Sequence, residues 1–222
     1  VSLAAYYKRP LSEAEAAELD PVLLGLQEVY GLESLPRGYV STPVFADGMA
    51  EPGGFDLIEQ SVDRSLWLAL LAPDASEVTA ARQTLGSQQL LNIGVAPALT
   101  VPALFEDIGE RGRLPHVWEI TSGRVIDGEP EYLQLDVLAD SSAGLARPGV
   151  LRLALPDDSR IGGVENDVRQ DLNAGVGDRP PRFDDPDTAA RLVSWLRLRP
   201  TRGLTRMAFS WVGINAVTID QR

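Results

Sequence analysis

The strongest constraint on the fold is a run of seven apolar residues, Leu66–Ala72, that ends at Pro73. Seven residues is the length of a β-strand and falls far short of the roughly 20 apolar residues that a membrane-spanning helix needs. The preceding residues, 55–65, mix charged and apolar side chains and cannot lie in a core throughout. A polar approach that leads into an apolar strand is typical of a segment entering the core of a β-sandwich.

Short strand patterns recur along the rest of the chain, separated by Gly, Pro and Asp turns. In residues 149–156, for example, Leu151 and Leu153 share one face and Arg152 lies on the other. This spacing predicts a mainly β protein whose residues 55–222 form an antiparallel, jelly-roll-like β-sandwich. The further strands are predicted at 90–95, 116–121, 132–139, 191–200, 207–212 and 214–219.

Residues 1–54 are predicted to form a strand and a helical segment that pack on the sandwich. Ser12 and Glu15 have the spacing of a capping box, in which each side chain bonds the other residue's backbone N–H. Pro21 favours a second helix start, and Gly31 can end that helix. Apolar residues at helical spacing would form its buried face: Val22, Leu23, Leu26 and Val29.

Two segments between strands have their own patterns. A short helix is predicted over 77–85, with Asp74 or Ser76 as its N-cap and Gly86 as its terminator. Residues 157–187 are rich in Asp, Gly and Pro and predict a long polar surface loop that orders only against a neighbouring subunit.

The strand patterns also predict which side chains are buried. Trp195 is expected in the core although it shares its face with Arg197 and Arg199. The full set of predicted core residues is Leu66, Trp67, Leu68, Leu70, Leu135, Val137, Leu151, Leu153, Leu192, Trp195 and Leu196.

Composition limits the partners of this chain. The formal net charge is -12, from 32 acidic and 20 basic residues, which argues against nucleic acid and against an anionic membrane surface. Cysteine is absent, so no disulfide, thiolate nucleophile or cysteine metal site is available. The first residue is Val1, and we expect a fragment, a processed chain or an excised domain.

Few residues suggest catalysis, and we expect a chain that is not an enzyme and needs no cofactor or metal. His116 is the single histidine, and no Gly-x-Ser-x-Gly elbow accompanies it. The carboxylates cluster at 56–63 and 184–187 without the spacing of a glycosidase pair, and the second cluster lacks the calcium-loop register. We interpret these clusters as solvated surface.

The order of several segments resembles a known family. The run Phe55–Ala72 is followed by an aromatic strand (VWEI), a Leu/Asp-rich strand, a Ser-Ser-Ala-Gly-Leu turn, the strand VLRLALP, an acidic loop and the strand SWLRLRP. This order resembles the large baseplate assembly proteins of phage-tail-like contractile injection systems, which are baseplate J-like wedge proteins. The resemblance covers about residues 55–222.

The resemblance implies a structural domain that joins wedge, hub and tail components through protein–protein contacts. It implies assembly in the cytoplasm, or a place in a released tail-like particle, without membrane insertion. One alternative is a carbohydrate- or receptor-binding module on the same sandwich, which an exposed aromatic platform would favour. An enzyme is a further alternative, which a pocket that combines His116 with a serine and an aspartate would favour.

Five charged residues are candidates for contact with a partner. The carboxylates of an exposed loop can pair with arginines of an adjacent subunit through charge-assisted hydrogen bonds. The strand that follows the loop carries two arginines on one face. The candidates are Asp184, Asp185, Asp187, Arg197 and Arg199.

Overall fold

The structure, a computed structural model, describes residues 1–31, 38–98, 113–164 and 178–216. Its helices are α1 (Glu13–Tyr30), α2 (Leu57–Gln60), α3 (Val78–Gln88) and α4 (Pro186–Ala190). Its strands are β1 (Ser2–Pro10), β2 (Tyr39–Val44), β3 (Phe55–Asp56), β4 (Leu66–Leu71), β5 (Leu90–Pro97), β6 (His116–Ile126), β7 (Glu129–Gln134), β8 (Val137–Asp140), β9 (Gly149–Ala154), β10 (Leu192–Pro200) and β11 (Ala208–Ile214).

The strands form two sheets whose neighbouring strands are all antiparallel. The six-stranded sheet has the order β2-β1-β4-β10-β6-β7, and the five-stranded sheet has the order β3-β11-β5-β9-β8. Apolar side chains of both sheets meet in one core, with Leu68 and Leu196 from the first sheet and Ile93 and Leu151 from the second. The predicted mainly β class, with antiparallel sheets and an N-terminal helix, is confirmed.

The apolar run Leu66–Ala72 contains β4, and both faces of this strand are covered. Leu66, Leu68 and Leu70 point into the core between the sheets. Trp67 and Ala69 lie on the opposite, outer face of the six-stranded sheet, in a second apolar cluster. Because side chains alternate along a strand, a strand covered on both sides has to be apolar at every position.

The six-stranded sheet is built from both ends of the chain. The strand β1 lies between β2 and β4, with Ala5 opposite Leu68, and β4 pairs on its other side with β10. The predicted boundary between 1–54 and 55–222 therefore runs through this sheet, since β1 and β2 precede it and the other four strands follow it.

The helix α1 begins as predicted but packs differently. Ser12 and Glu15 form the complete capping box, and Gly31 ends the helix with a left-handed φ of 62°. The second helix start is wrong, because Pro21 lies inside one continuous helix. Leu23 is buried, whereas Val22 and Val29 are 48% and 76% exposed, so the ends of the predicted buried face lie open. The side chain of Leu26 falls outside the described residues.

The predicted strand 132–139 is two strands that belong to different sheets. The strand β7 pairs with β6 in the first sheet, and β8 pairs with β9 in the second. The chain crosses between the sheets at Leu135, which is buried. Among the predicted core residues only Val137 is wrong, since it is 42% exposed on β8 at the sheet edge.

The helix after β4 starts and ends later than predicted. Asp74 caps a short 3-10 turn, and α3 continues past Gly86 to Gln88, where Gln89 adopts the left-handed conformation. Gly86 is buried against the backbone of Asp158, and a Cβ at this position would overlap that backbone. The close approach of α3 to the backbone of Asp158, and not helix termination, explains why residue 86 is a glycine.

The predicted surface loop 157–187 is packed in two of its described parts, at 161–164 and at 179–181. Residues 158–160 form a 3-10 turn, and Gly162 bridges to Ser122 of β6. Arg179, Pro180 and Pro181 are buried, so the prediction of a loop that orders only against another subunit is wrong for these residues. Residues 165–177 lie outside the described residues, as do residues 217–219 of the predicted strand 214–219.

Candidate functional site on the outer face of the six-stranded sheet

Charged and aromatic side chains share the outer face of the six-stranded sheet. The register sets one row across four strands, in which Tyr6 lies opposite Trp67, Trp67 opposite Arg197 and Arg197 opposite Glu119. Directly opposed residues lie about 4.5–5.5 Å apart at Cβ, close enough for side-chain contact. Strand pairing therefore brings an arginine and a glutamate together on the centre of this face.

Arg197 is the buried cation at the centre of this row. It is 3% exposed, and its Nε donates to Glu119 Oε2 at 2.8 Å while its Nη1 donates to Asp178 Oδ1 at 2.7 Å. The guanidinium lies 3.9 Å from the ring centroid of Tyr132 and 5.2 Å from that of Trp67. Two carboxylates and two aromatic rings thus compensate a buried positive charge.

Arg199 holds the same glutamate from the next outward position of β10. Its Nε and Nη2 donate to the two carboxylate oxygens of Glu119 at 2.9 and 2.8 Å, which is a bidentate contact. This hydrogen bond raises the pKa of Arg199 above its ordinary value. Glu119 is therefore shared by two arginines, and the side chain of Arg199 still keeps 40% of its surface exposed.

Lys8, the single lysine of the chain, is buried beside this row. Its Nζ lies 3.2 Å from Asp63 Oδ2, and 5.0 and 5.3 Å from the ring centroids of Tyr39 and Trp67. It also donates to the carbonyl oxygen of Arg179. Desolvation lowers the pKa of Lys8, and the carboxylate of Asp63 opposes that shift.

Residues 178–183 cover the outer face. The ring of Phe183 stacks on Trp195 with centroids 4.9 Å apart and meets Tyr6 edge-on at 5.5 Å. The hydroxyl of Tyr132 donates to the carbonyl oxygen of Asp178. Burial raises the pKa of the Tyr132 phenol. This cover explains why Trp195 is 1% exposed although it shares its face with two arginines.

The covered face opens at one end into a polar cleft of about 470 Å³. One wall is the turn before β4, at 63–65, and the other is the turn after β10, at 200–203. We call it the arginine cleft because three arginines line it together with two carboxylates. The lining residues are Asp63, Arg64, Ser65, Asp178, Arg199, Pro200, Thr201, Arg202 and Gly203.

The five predicted contact residues do not form one site. Asp185 is the N-cap of α4 and accepts from the backbone N–H groups of Asp187 and Thr188. These bonds and the Thr188 hydroxyl lower the pKa of Asp185. Asp184 and Asp187 are exposed. Of the two arginines, the chain itself covers Arg197, while Arg199 reaches the arginine cleft.

Sequence reasoning missed the partners that hold the two arginines. Glu119 and Lys8 lie within predicted strands, and Asp178 lies within the predicted surface loop 157–187. The available signal was a single charged residue at an otherwise apolar position, as at Glu119 between Trp118 and Ile120. Such a residue inside a strand indicates an ion pair when its face is covered.

Of the catalytic candidates, His116 lies outside the lining of the arginine cleft, whereas Asp63 of the 56–63 carboxylate cluster is part of it. The Nδ1 atom of His116 lies 2.7 Å from the carbonyl oxygen of Leu114, and His116 does not line the cleft. Burial lowers the pKa of His116. Among the described residues, no group of three or more His, Cys, Asp or Glu side chains has the arrangement of a metal site.

Comparisons with known proteins give no relative. No family model, no curated protein and no solved structure matches the chain. In the part of the chain that the structure describes, none of the helices has the length and apolar character needed to cross a membrane.

Proposed function

We propose that the chain is a structural domain of a baseplate component in a phage-tail-like contractile injection system. It acts through protein–protein contacts with other baseplate, hub or tail proteins. The proposal rests on the segment order that resembles baseplate assembly proteins, and on the surface that the fold leaves open. In this proposal the domain assembles in the cytoplasm, or is part of a released tail-like particle.

One observation carries the proposed mode of action: α1 exposes apolar side chains along much of its length. Val22 and Val29 lie seven residues apart, hence on one side of the helix, and Leu24 on another side is 55% exposed. Helices in proteins derive most of their stability from tertiary packing of an apolar face. An 18-residue helix with open apolar positions is therefore suited to packing on a partner.

The buried aromatic residues weigh against the alternative of a carbohydrate-binding module. A sugar platform needs an exposed ring, whereas Trp67, Trp118 and Trp195 are at most 1% exposed. Trp211 is partly exposed, and its Nε1 is engaged by the carbonyl oxygen of Gly48 at 3.0 Å. The aromatic groups of the outer face instead enclose the ion pairs of Lys8 and Arg197.

Purification of tail-like particles from the source organism tests this function. The particles are sedimented after lysis, and the tagged chain is quantified in the particle fraction and in the soluble fraction. We expect the chain in the particle fraction, together with sheath and tube proteins encoded by neighbouring genes. A chain that stays wholly soluble in a strain that makes intact particles would contradict the proposal.

A further inference from the structure

The arginine cleft contains more positive charge than its own carboxylates neutralise. Asp63 is engaged by Lys8 at 3.2 Å, and Asp178 by Arg197 at 2.7 Å. Arg64 and Arg202 are exposed, and neither forms a salt bridge with any residue that the structure describes. Two guanidinium groups thus face the cleft without a carboxylate, in a chain whose formal net charge is -12.

A third arginine is held in place at the same cleft. Glu119 binds the Nε and Nη2 atoms of Arg199, which fixes the plane of the guanidinium and leaves its Nη1 edge for a ligand. Gly203 carries no side chain, and a Cβ at this position would have no other atom within 4 Å, so the cleft is open here. The cleft therefore presents planar donors along its length, and such donors match carboxylates in a bidentate geometry.

We propose that the arginine cleft binds the carboxylate groups of an acidic peptide segment carried by a protein partner. This inference rests on the proposed function, because it supplies a partner contact for a domain that acts through protein surfaces. The cleft, at about 470 Å³, is open and lies between two turns, and its volume suits a peptide segment with several carboxylates better than one compact phosphate ion.

Direct binding to the purified chain tests the proposal without any particle. A fluorescently labelled octapeptide of alternating Glu and Gly is titrated with the protein at about 50 mM salt, and anisotropy is recorded. A matched Gln-Gly octapeptide is the neutral control. We expect saturable binding of the acidic peptide alone, weakening as salt rises, because exposed charges are screened over about 8–10 Å at physiological ionic strength.

Charge-matched variants locate the binding site. Arg64→Gln with Arg202→Gln should weaken binding at least about tenfold, as expected when charge-assisted contacts are lost. Arg64→Lys with Arg202→Lys keeps the charge but loses the planar guanidinium, which can donate two parallel hydrogen bonds to a carboxylate. This variant should give an intermediate affinity. Arg147→Gln with Arg152→Gln removes the same charge from an exposed region of the other sheet and should leave affinity unchanged.

Several results would overturn the inference. These are equal binding of the Gln-Gly peptide, no binding of the acidic peptide at 50 mM salt, or equal losses in the Gln variants of the cleft and of the control. Binding of inorganic phosphate that excludes the acidic peptide would assign the cleft to a different ligand. If the peptide fails while the chain still enters particles, only this inference falls, and the proposed function stands.

Discussion

The buried pair of Lys8 and Asp63 should contribute strongly to stability, and Lys8→Met tests this. The side chain of Lys8 is 0% exposed and that of Asp63 is 7% exposed, so Met leaves a buried carboxylate without its cation. Removing one partner of a buried pair costs about 3–5 kcal/mol. Asp63 still accepts hydrogen bonds from Ser61, Ser65 and Trp67, so we expect the free energy of unfolding to fall by about 3 kcal/mol, the lower end of this range.

Urea unfolding followed by tryptophan fluorescence measures this loss. Trp67 lies within hydrogen-bond distance of Asp63, with its Nε1 2.9 Å from Oδ2, so its emission reports on the site. With a slope of about 2 kcal/mol per molar urea, a loss of 3 kcal/mol lowers the midpoint by about 1.5 M. The double variant Lys8→Met with Asp63→Asn removes both charges and should recover part of the loss.

The recovery will be incomplete for a geometric reason. The amide of an asparagine at position 63 cannot accept at both of its heavy atoms, so the donors of Ser65 and Trp67 compete for one oxygen. Arg124→Gln, which breaks the exposed pair with Glu131, is the control and should leave the midpoint unchanged. The reasoning would be refuted if the urea midpoint of Lys8→Met equalled that of Arg124→Gln within error. It would also be refuted if the double variant were less stable than Lys8→Met.

The remaining predictions concern pH and packing. Burial lowers the pKa of His116, so an NMR titration of this single histidine should give a midpoint below pH 6.5. The free energy of unfolding should therefore be highest above pH 6.5 and fall as the pH drops through that midpoint. The hydrogen bond from Arg9 lowers the pKa of Glu15 to about 2. The stabilisation that ionised Glu15 gives to the cap of α1 should be complete above pH 4.5 and be lost near pH 2. The variant Arg9→Gln should raise the pKa of Glu15 in a carboxyl-detected titration. Gly86→Ala should destabilise the chain by more than an exposed Ala substitution, because its Cβ would meet the Asp158 backbone, and thermal melts check this. Phe183→Ala should expose Trp195, which red-shifted emission and faster quenching by acrylamide would detect.

The apolar patterns predicted β4, β9 and β10 because burial is encoded locally. In β4 and β9 the core residues lie at alternate positions, whereas in β10 a bulge between Leu192 and Ser194 puts Val193 and Leu196 in the core. Leu68, Leu151 and Leu196 are fully buried. The alternation of 132–139 failed because it continues across the point where the chain changes sheets. Period alone cannot show such a crossing, since both halves keep an extended backbone.

The candidate site was less predictable because its contacts are distant in sequence. Arg197 and Glu119 are 78 residues apart, and Lys8 and the carbonyl of Arg179 are 171 apart. Local patterns placed Arg197 on one face of its strand but gave no strand order. Without the order β1-β4-β10-β6, the sequence does not reveal that a lysine, two arginines and a glutamate share one covered face.

The most direct test of the central claim is particle incorporation of α1 variants. Val22→Glu with Val29→Glu places charge on the open apolar side of the helix, and Ala17→Glu adds charge at an exposed position on a different side. Both should fold, since glutamate favours helix more than valine does and costs little in place of an exposed alanine. We predict that the double variant is lost from sedimented particles while Ala17→Glu enters them like the wild type. Equal incorporation of all three proteins would contradict an account in which this helix binds the partner.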